Sequence, residues 1–142
     1  MTTTRKIIAI NASPRVKGNS AQLLEEWIKG YQSVFPEADV KKIFLYNLKY
    51  TGCHSCFACK QKQGKFYGTC PVKDDIYELV AEVFEVDALA IAFPTYFGNI
   101  TGMLHSFLEH AMFSKNTYHL KHESLRPQAC PHNHAVFLQL YA

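Results

Sequence analysis

The sequence predicts an α/β protein in which a doubly wound parallel sheet lies between helices, giving three α-β-α layers. Apolar segments of strand length alternate with amphipathic segments of helix length in the order β-α-β-α-β-α-β, which is typical of parallel strands joined by crossover helices. The segment Ala88 to Phe93 is apolar on both faces, as central parallel strands are. At 142 residues, the chain is predicted to form a single domain over residues 1–142.

The first strand is predicted from Ile7 to Ala12, and a polar loop follows it. Asn19 is the predicted N-cap of helix 1, with Gln22 as its capping-box partner, and Pro36 closes the helix. Apolar side chains recur in this helix at three- and four-residue steps: Leu23, Leu24, Trp27, Ile28, Tyr31, Val34 and Phe35. Val40 to Leu48 is the second predicted strand.

Helix 2 is predicted to begin near Asp74 or Asp75, because carboxylates suit a helix N-terminus. Its apolar face contains Ile76, Leu79, Val80, Val83 and Phe84. Helix 3 follows the turn 94–99, and its apolar stripe contains Ile100, Met103, Leu104, Phe107, Leu108 and Ala111. Residues 114–134 are polar, rich in histidine and predicted to be irregular, and Ala135 to Tyr141 is the fourth predicted strand.

Composition excludes several classes of protein. The formal charge is +3 and the Lys and Arg residues are scattered, so a nucleic-acid partner is not indicated. No apolar run reaches the length of a membrane span, and no charged-then-apolar leader precedes the first strand, so a soluble, non-secreted protein is expected. Five cysteines in such a chain favour a reducing, cytoplasmic compartment and metal or redox chemistry.

The loop after the first strand has the composition of a phosphate site. Ser13, Asn19 and Ser20 supply hydrogen-bond donors, Arg15 supplies a positive charge, and the helix N-terminus supplies unpaired N–H groups. The loop carries neither the P-loop motif nor the dinucleotide fingerprint, and it holds no cysteine nucleophile. A cofactor monophosphate such as that of FMN fits these features, and the alternative is a solvated turn that binds nothing.

The turn after the third strand supports the cofactor interpretation. In a parallel sheet, ligands bind outside the carboxyl ends of the strands, at the switch point between the first and third strands. The Ser13–Ser20 loop and the turn 94–99 are therefore predicted to face one crevice.

These two loops resemble those of a known family. Ser13-Pro-Arg15-Val-Lys-Gly18-Asn19-Ser20 is similar to the S-P-R-x-x-G-N-[ST] loop of flavodoxin-like NAD(P)H-dependent FMN reductases and multimeric flavodoxins, and Pro94-Thr-Tyr96-Phe-Gly98 to their P-x-Y-x-G loop. The resemblance implies a flavodoxin-like fold, FMN as cofactor and NAD(P)H as electron donor. It implies that the FMN phosphate is bound by Ser13, Arg15, Asn19 and Ser20. It also implies that the isoalloxazine ring of FMN packs against Pro94, Thr95, Tyr96, Phe97, Gly98 and Asn99.

The chain also departs from that family. Ala12 stands where a glycine is common, and His105 and Glu109-His110 replace a lysine and an Asp-Arg pair. The family continues past the fourth strand, so the last strand and helices of the fold are expected to be missing, and the tail from Ser114 is atypical. The resemblance implies a homodimer or homotetramer with flavin sites near subunit interfaces.

The segment between the second strand and helix 2 holds a cysteine motif, Cys53-x2-Cys56-x2-Cys59-x10-Cys70. Three thiols at two-residue gaps and a distant fourth before Pro71 are typical of [4Fe–4S] ligation, and the loop is similar to that of the iron–sulfur flavoprotein branch. Two alternatives stay open: a loop of free thiols, and Zn(Cys)4.

Histidines supply further candidates. His119, His122, His132 and His134 lie near Cys130, but a solvated loop is favoured there over a metal site. His105 and His110 are interpreted as residues of the helix surface.

The functional prediction is an FMN-binding oxidoreductase that reduces flavin, quinone or another small acceptor with NAD(P)H. No side chain is assigned as catalytic, because the hydride chemistry belongs to the flavin. One alternative is an iron–sulfur flavoprotein that exchanges electrons with a ferredoxin-like donor. The other is a shortened flavodoxin-like subunit without activity.

Overall fold

Four parallel strands and three helices make up the structure, a computed structural model that describes residues 4–116 and 134–140. The strands are β1 (Lys6–Asn11), β2 (Asp39–Phe44), β3 (Ala88–Pro94) and β4 (His134–Leu140). The helices are α1 (Asn19–Val34), α2 (Tyr77–Glu82) and α3 (Gly102–Lys115), with short 3-10 turns at Leu45–Asn47 and Ala58–Lys60.

The strands lie in the order β2-β1-β3-β4, and every neighbouring pair is parallel. Ile7 on β1 is level with Val40 on β2 and with Ala88 on β3, and Leu89 is level with Ala135 on β4. The predicted parallel sheet is therefore confirmed. Because β1 and β3 are central and adjacent, the loops that follow them leave the same edge of the sheet side by side.

The two faces of the sheet differ in side-chain size. On one face, Ala9, Ala90 and Ala92 contact Leu24 and Ile28 of α1, so the helix packs closely on small residues. The opposite face carries large buried side chains that pack against α2 and α3: Ile8, Ile10, Ile91, Phe93, Leu79, Val80, Leu104 and Phe107. Each such side chain contributes about 1.5–3 kcal/mol when fully buried. Helices thus cover both faces, as predicted for a doubly wound sheet.

The second strand ends earlier than predicted. We expected strand structure to Leu48, but β2 stops at Phe44 and Leu45–Asn47 form a 3-10 turn. Leu45 is fully buried in the core, whereas no residue of β2 is buried and half of the strand is exposed at the edge of the sheet. The turn is what carries Leu45 from the edge into the core.

Helix boundaries also differ from the predictions. Helix 2 begins at Tyr77, since Asp74 uses its carboxylate and its carbonyl to accept the N–H groups of Ile76 and Tyr77 in a preceding turn. The predicted irregular segment 114–134 is wrong at both ends. Helix α3 continues through buried Ser114 to Lys115, and β4 begins at His134.

Among the described residues, no helix is both long and apolar enough to cross a bilayer. His134 is exposed at the start of β4. The other members of the candidate histidine cluster lie outside the described residues: His119, His122, Cys130 and His132.

Candidate functional site

A cavity of about 220 Å³ lies at the carboxyl edge of the sheet, where the loops after β1 and β3 meet. It brings together seven of the ten residues that the sequence assigns to the cofactor. Its lining consists of Ser13, Arg15, Gly18, Asn19, Ser20, Pro94, Thr95, Tyr96 and Leu140. None of these residues is acidic, and among the described residues that line the cavity only Arg15 carries a formal charge.

Side chains hold the first loop in its turn. The Asn11 Oδ1 atom accepts the N–H of Ser13 at 2.9 Å, and the Ser13 Oγ atom accepts the N–H of Arg15 at 3.2 Å. Both Asn11 and Ser13 are buried. These local bonds turn the chain sharply at the end of β1 and direct it towards the N-terminus of α1.

The predicted N-cap of α1 is wrong by one residue. Gly18 is the N-cap and Asn19 the first helical residue, because the Gly18 carbonyl accepts the first helical bond, from Gln22 at 3.1 Å. A Cβ atom at position 18 would lie only 2.9 Å from the Arg15 Cβ atom, which explains the glycine. No side chain caps this terminus, so its first-turn N–H groups and positive dipole end remain available to an anion.

The second loop is a tight turn. Tyr96 and Asn99 exchange backbone hydrogen bonds of 2.9 and 3.0 Å, and Phe97 and Gly98 between them adopt left-handed conformations with φ of 51° and 72°. Tyr96 lines the cavity. Phe97, Gly98 and Asn99 do not, and Phe97 is fully exposed to solvent.

Sequence reasoning missed several residues around this cavity. Leu140 lines it because β4 lies beside β3, where the Leu140 carbonyl accepts the N–H of Thr95 at 2.8 Å. Thr101 supports it from α3: its buried hydroxyl donates to the Ala12 carbonyl at 3.0 Å and accepts the N–H of Leu104 at 3.3 Å. A threonine before a predicted helix signals the cap, but only the fold shows its bond to β1.

The four cysteines of the motif line a second, much smaller cavity of about 20 Å³. All four are free thiols. The structure thus brings together Cys53, Cys56, Cys59 and Cys70, as the sequence predicts. Within residues 4–116 and 134–140, however, no group of three or more Cys, His, Asp or Glu side chains has the arrangement of a metal site.

Helix α3 holds the cysteine loop. The Glu109 carboxylate accepts the N–H of Cys53 at 3.0 Å, and it occupies the space that a side chain at Gly52 would need. The buried Lys60 ammonium donates to the carbonyls of Phe113 and Asn116 at the end of α3. The loop is therefore anchored by protein contacts at several points.

The interpretation of His110 as a surface residue is wrong. His110 is only 3% exposed, and its Nδ1 atom lies 3.9 Å from the Cys70 sulfur. The cysteine loop covers the side of α3 that helical periodicity alone would assign to solvent. His105 is on the helix surface as predicted, 3.4 Å from the Glu109 carboxylate.

Burial controls the ionisation of two of the thiols. Desolvation raises the pKa of Cys59, although the neighbouring Lys60 ammonium opposes the shift, and desolvation also raises the pKa of Cys70. Both thiols are therefore protonated at neutral pH in the metal-free protein, and metal binding there must release protons.

Comparison with known proteins gives the family. Residues 5–128 match the NADPH-dependent FMN reductase family. An iron-sulfur flavoprotein from Archaeoglobus fulgidus is 33% identical over 86% of this chain and 57% of its own length. One from Methanocaldococcus jannaschii is 29% identical over 73% of this chain and 50% of its own length. The chain thus spans about half the length of these curated relatives.

A solved structure supports the fold. An azoreductase from Bacillus anthracis superposes with a TM-score of 0.65 over 98% of this chain and 70% of its own length, at 16% identity. The likeness at this identity concerns the α/β flavodoxin-like fold alone. The family match over most of the sequence shows that the chain belongs to the NADPH-dependent FMN reductase family.

Proposed function

We propose that this chain is an FMN-dependent oxidoreductase that uses NAD(P)H to reduce flavin, quinone or another small acceptor. One observation carries the proposal: the uncapped N-terminus of α1 and the turn at Tyr96 line the same cavity. The first suits a phosphate and the second an aromatic ring system. Membership of the family and the free thiols, which suit the cytoplasm, agree with it.

Different residues of the cavity are suited to different parts of the cofactor. The first-turn N–H groups of α1, with the Ser20 hydroxyl and the Arg15 guanidinium, hold a dianionic phosphate. Tyr96 offers an aromatic face to the flavin ring. If bound there, FMN would supply the redox chemistry, accepting a hydride (two electrons with one proton) from NAD(P)H and donating two electrons to an acceptor. No side chain of the chain has to act as a general base.

The size of the cavity agrees with partial enclosure of such a cofactor. Ligand pockets generally occupy about 300–1,000 Å³, and this cavity has about 220 Å³. A cavity of this size encloses only part of such a cofactor. The exposed turn at Phe97 leaves the outer side of the site open, as a flavin that must meet NAD(P)H and an acceptor in turn requires.

Variants of the first loop test this proposal. Arg15→Ala and Ser20→Ala should each weaken FMN binding at least about tenfold, because each removes one phosphate contact worth roughly 1.5–3 kcal/mol. Lys17→Ala is the matched control, since it removes a positive charge from the same loop at a residue outside the cavity. Equal FMN affinity in Arg15→Ala, Ser20→Ala and the wild type would contradict the assignment.

We propose as a second candidate that the chain also holds a [4Fe–4S] cluster on Cys53, Cys56, Cys59 and Cys70. The observation in its favour is that four thiols, the donors such a cluster prefers, line one cavity. A bound cluster would exchange single electrons with a ferredoxin-like donor. Two relatives are named iron-sulfur flavoproteins, which adds support.

Iron and acid-labile sulfide analysis of protein reconstituted without oxygen tests the cluster. Four iron and four sulfide per chain are expected for a [4Fe–4S] centre. Zinc without sulfide would favour Zn(Cys)4, and five titratable thiols without metal, Cys130 included, would leave an empty loop. The FMN proposal does not depend on the outcome, because the two cavities have no lining residue in common.

A further inference from the structure

His110 is a buried polar residue whose place in the fold is not explained by the packing of α3. The helix presents Leu104, Phe107 and Ala111 to the core. His110 instead lines the cysteine cavity, together with Phe113 and Ser114 from the same helix. An apolar side chain would fill this position without the cost of desolvating an imidazole.

The two ring nitrogens of His110 have different surroundings. Nδ1 lies 3.9 Å from the Cys70 sulfur, within range of a hydrogen bond to sulfur. Nε2 is buried and has no hydrogen-bond partner in the described part of the chain. A buried polar atom without a partner costs about 1–3 kcal/mol. This cost argues against a purely structural role for His110 in the metal-free fold.

The contact with Cys70 has one possible direction once that sulfur binds a metal. A metal-bound thiolate has no proton to give, so the hydrogen bond requires a proton on Nδ1, and the neutral ring then has a bare Nε2. This tautomer matches the surroundings of both nitrogens. Hydrogen bonds to ligating sulfurs stabilise the reduced, more negative form of an iron–sulfur cluster and raise its reduction potential.

We propose that His110 is a positioning residue of the cysteine cavity, which orients Cys70 through a hydrogen bond from Nδ1 and raises the reduction potential of an iron–sulfur cluster held there. The inference rests on the second function proposed above. His110 lies outside the cysteine loop, on α3. The N-cap residue of that helix, Thr101, donates a hydrogen bond to the Ala12 carbonyl, just before the Ser13–Ser20 loop. The proposed role also accounts for a buried polar side chain whose Nε2 atom has no partner among the described residues.

Three variants test the role. His110→Leu removes both nitrogens at similar volume, and His110→Asn keeps an N–H donor near the position of Nδ1. His105→Leu is the control, since it removes an exposed histidine from the same helix. Two quantities are compared with the wild type: the midpoint potential of the reconstituted cluster, followed by electron paramagnetic resonance, and the urea midpoint of the metal-free protein.

His110→Leu should shift the ratio of reduced to oxidised cluster about tenfold towards oxidised, which for one electron is about 59 mV more negative. His110→Asn should recover most of the shift, and His105→Leu should show none. The metal-free His110→Leu protein should be at least as stable as the wild type, whereas a purely structural role for His110 predicts a loss of stability.

Two results would overturn the inference, and they differ. A wild-type protein without iron and sulfide would remove the cluster proposal and this inference together. A wild-type protein that holds the cluster, with an unchanged potential in His110→Leu, would remove only the role of His110.

Discussion

Thr101 shows how one residue connects two elements at the candidate site. Its hydroxyl caps α3 by accepting the N–H of Leu104, and it also donates to the Ala12 carbonyl at the end of β1. Thr101 is completely buried, so neither bond exchanges with water. The Ser13–Ser20 loop begins at the residue after Ala12, and Thr101 therefore fixes the point from which that loop starts.

Thr101→Val should destabilise the protein by about 2 kcal/mol, because it removes an N-cap worth about 1 kcal/mol and leaves a buried carbonyl without one of its partners. Thr101→Ser keeps the hydroxyl and should recover most of the loss. Urea unfolding of the three proteins measures both differences. Equal stability of the Val and Ser variants would show that the hydroxyl is unimportant.

The sequence predicts which polar side chains lie in a loop better than it predicts how deeply a side chain is buried. Ser13, Arg15, Asn19 and Ser20 line the cavity as expected, because a loop between a strand and a helix keeps its polar groups near the helix N-terminus. The burial of His110 could not be predicted. It depends on a cysteine loop some 40 positions earlier in the chain that folds over α3.

At the scale of elements, α3 lies between the two cavities. Thr101 at its N-terminus contacts β1 beside the phosphate loop, and Glu109 and His110 contact the cysteine loop. At a rise of 1.5 Å per residue, the nine steps from position 101 to position 110 span about 14 Å. A single rigid element therefore sets the distance between the candidate cofactor cavity and the cysteine cavity.

The cysteine loop should remain folded without metal. Glu109 accepts the N–H of Cys53, and Lys60 donates to the carbonyls at the end of α3. Neither contact needs a ligand. We expect the same pattern of limited proteolysis across residues 49–74 before and after treatment with a chelator.

Glu109→Ala is the positive control for that experiment, because it leaves the Cys53 N–H without its acceptor. This variant should be cleaved faster in the loop than the wild type under the same conditions. Rapid cleavage of the wild-type loop only after metal removal would mean that the metal, and not α3, orders this segment.

Element type was predictable where periodicity is strong, and element ends were not. The apolar strands β1 and β3 and the amphipathic helix α1 lie where the sequence places them. The end of β2 was missed because Leu45 leaves the strand to enter the core. Strand propensity cannot distinguish an apolar residue in an edge strand from one in a turn that packs inward.

At the scale of the whole molecule, the sheet presents β4 at one edge. In the described residues, β4 pairs only with β3. Its Phe137 is 55% exposed, and Phe97 beside the cofactor cavity is fully exposed. Exposed aromatic side chains near an unpaired strand edge are typical of surfaces that another chain covers.

We therefore expect a homodimer or homotetramer in which a second copy covers β4 or the turn at Phe97. Sedimentation equilibrium at low micromolar concentration should give a mass of two or four chains. Phe137→Lys should shift the population towards monomer, because a charge at the edge opposes strand pairing. Phe35→Lys places the same charge on a distant exposed aromatic at the end of α1 and is the control. A stable wild-type monomer would contradict the expectation.

The fold class follows from the sequence because alternating strands and helices leave few ways to bury their apolar faces. The sequence does not show in the same way which strand lies beside β4. The connection before it is not periodic, so only the structure shows that the strand lies beside β3 and places Leu140 at the cavity. The motif predicts the position of the candidate phosphate-binding loop, Ser13–Ser20, and the sheet order determines which other residues surround it.

The central claim is that the N-terminus of α1 binds the phosphate of FMN. It is tested most directly by comparing FMN with riboflavin, which has the same ring and lacks the phosphate, in titrations followed by flavin fluorescence. We expect saturable binding of FMN that is at least about tenfold tighter than that of riboflavin, since a charged phosphate contact is worth roughly 1.5–3 kcal/mol. No binding of FMN, or equal affinity for the two flavins, would contradict it.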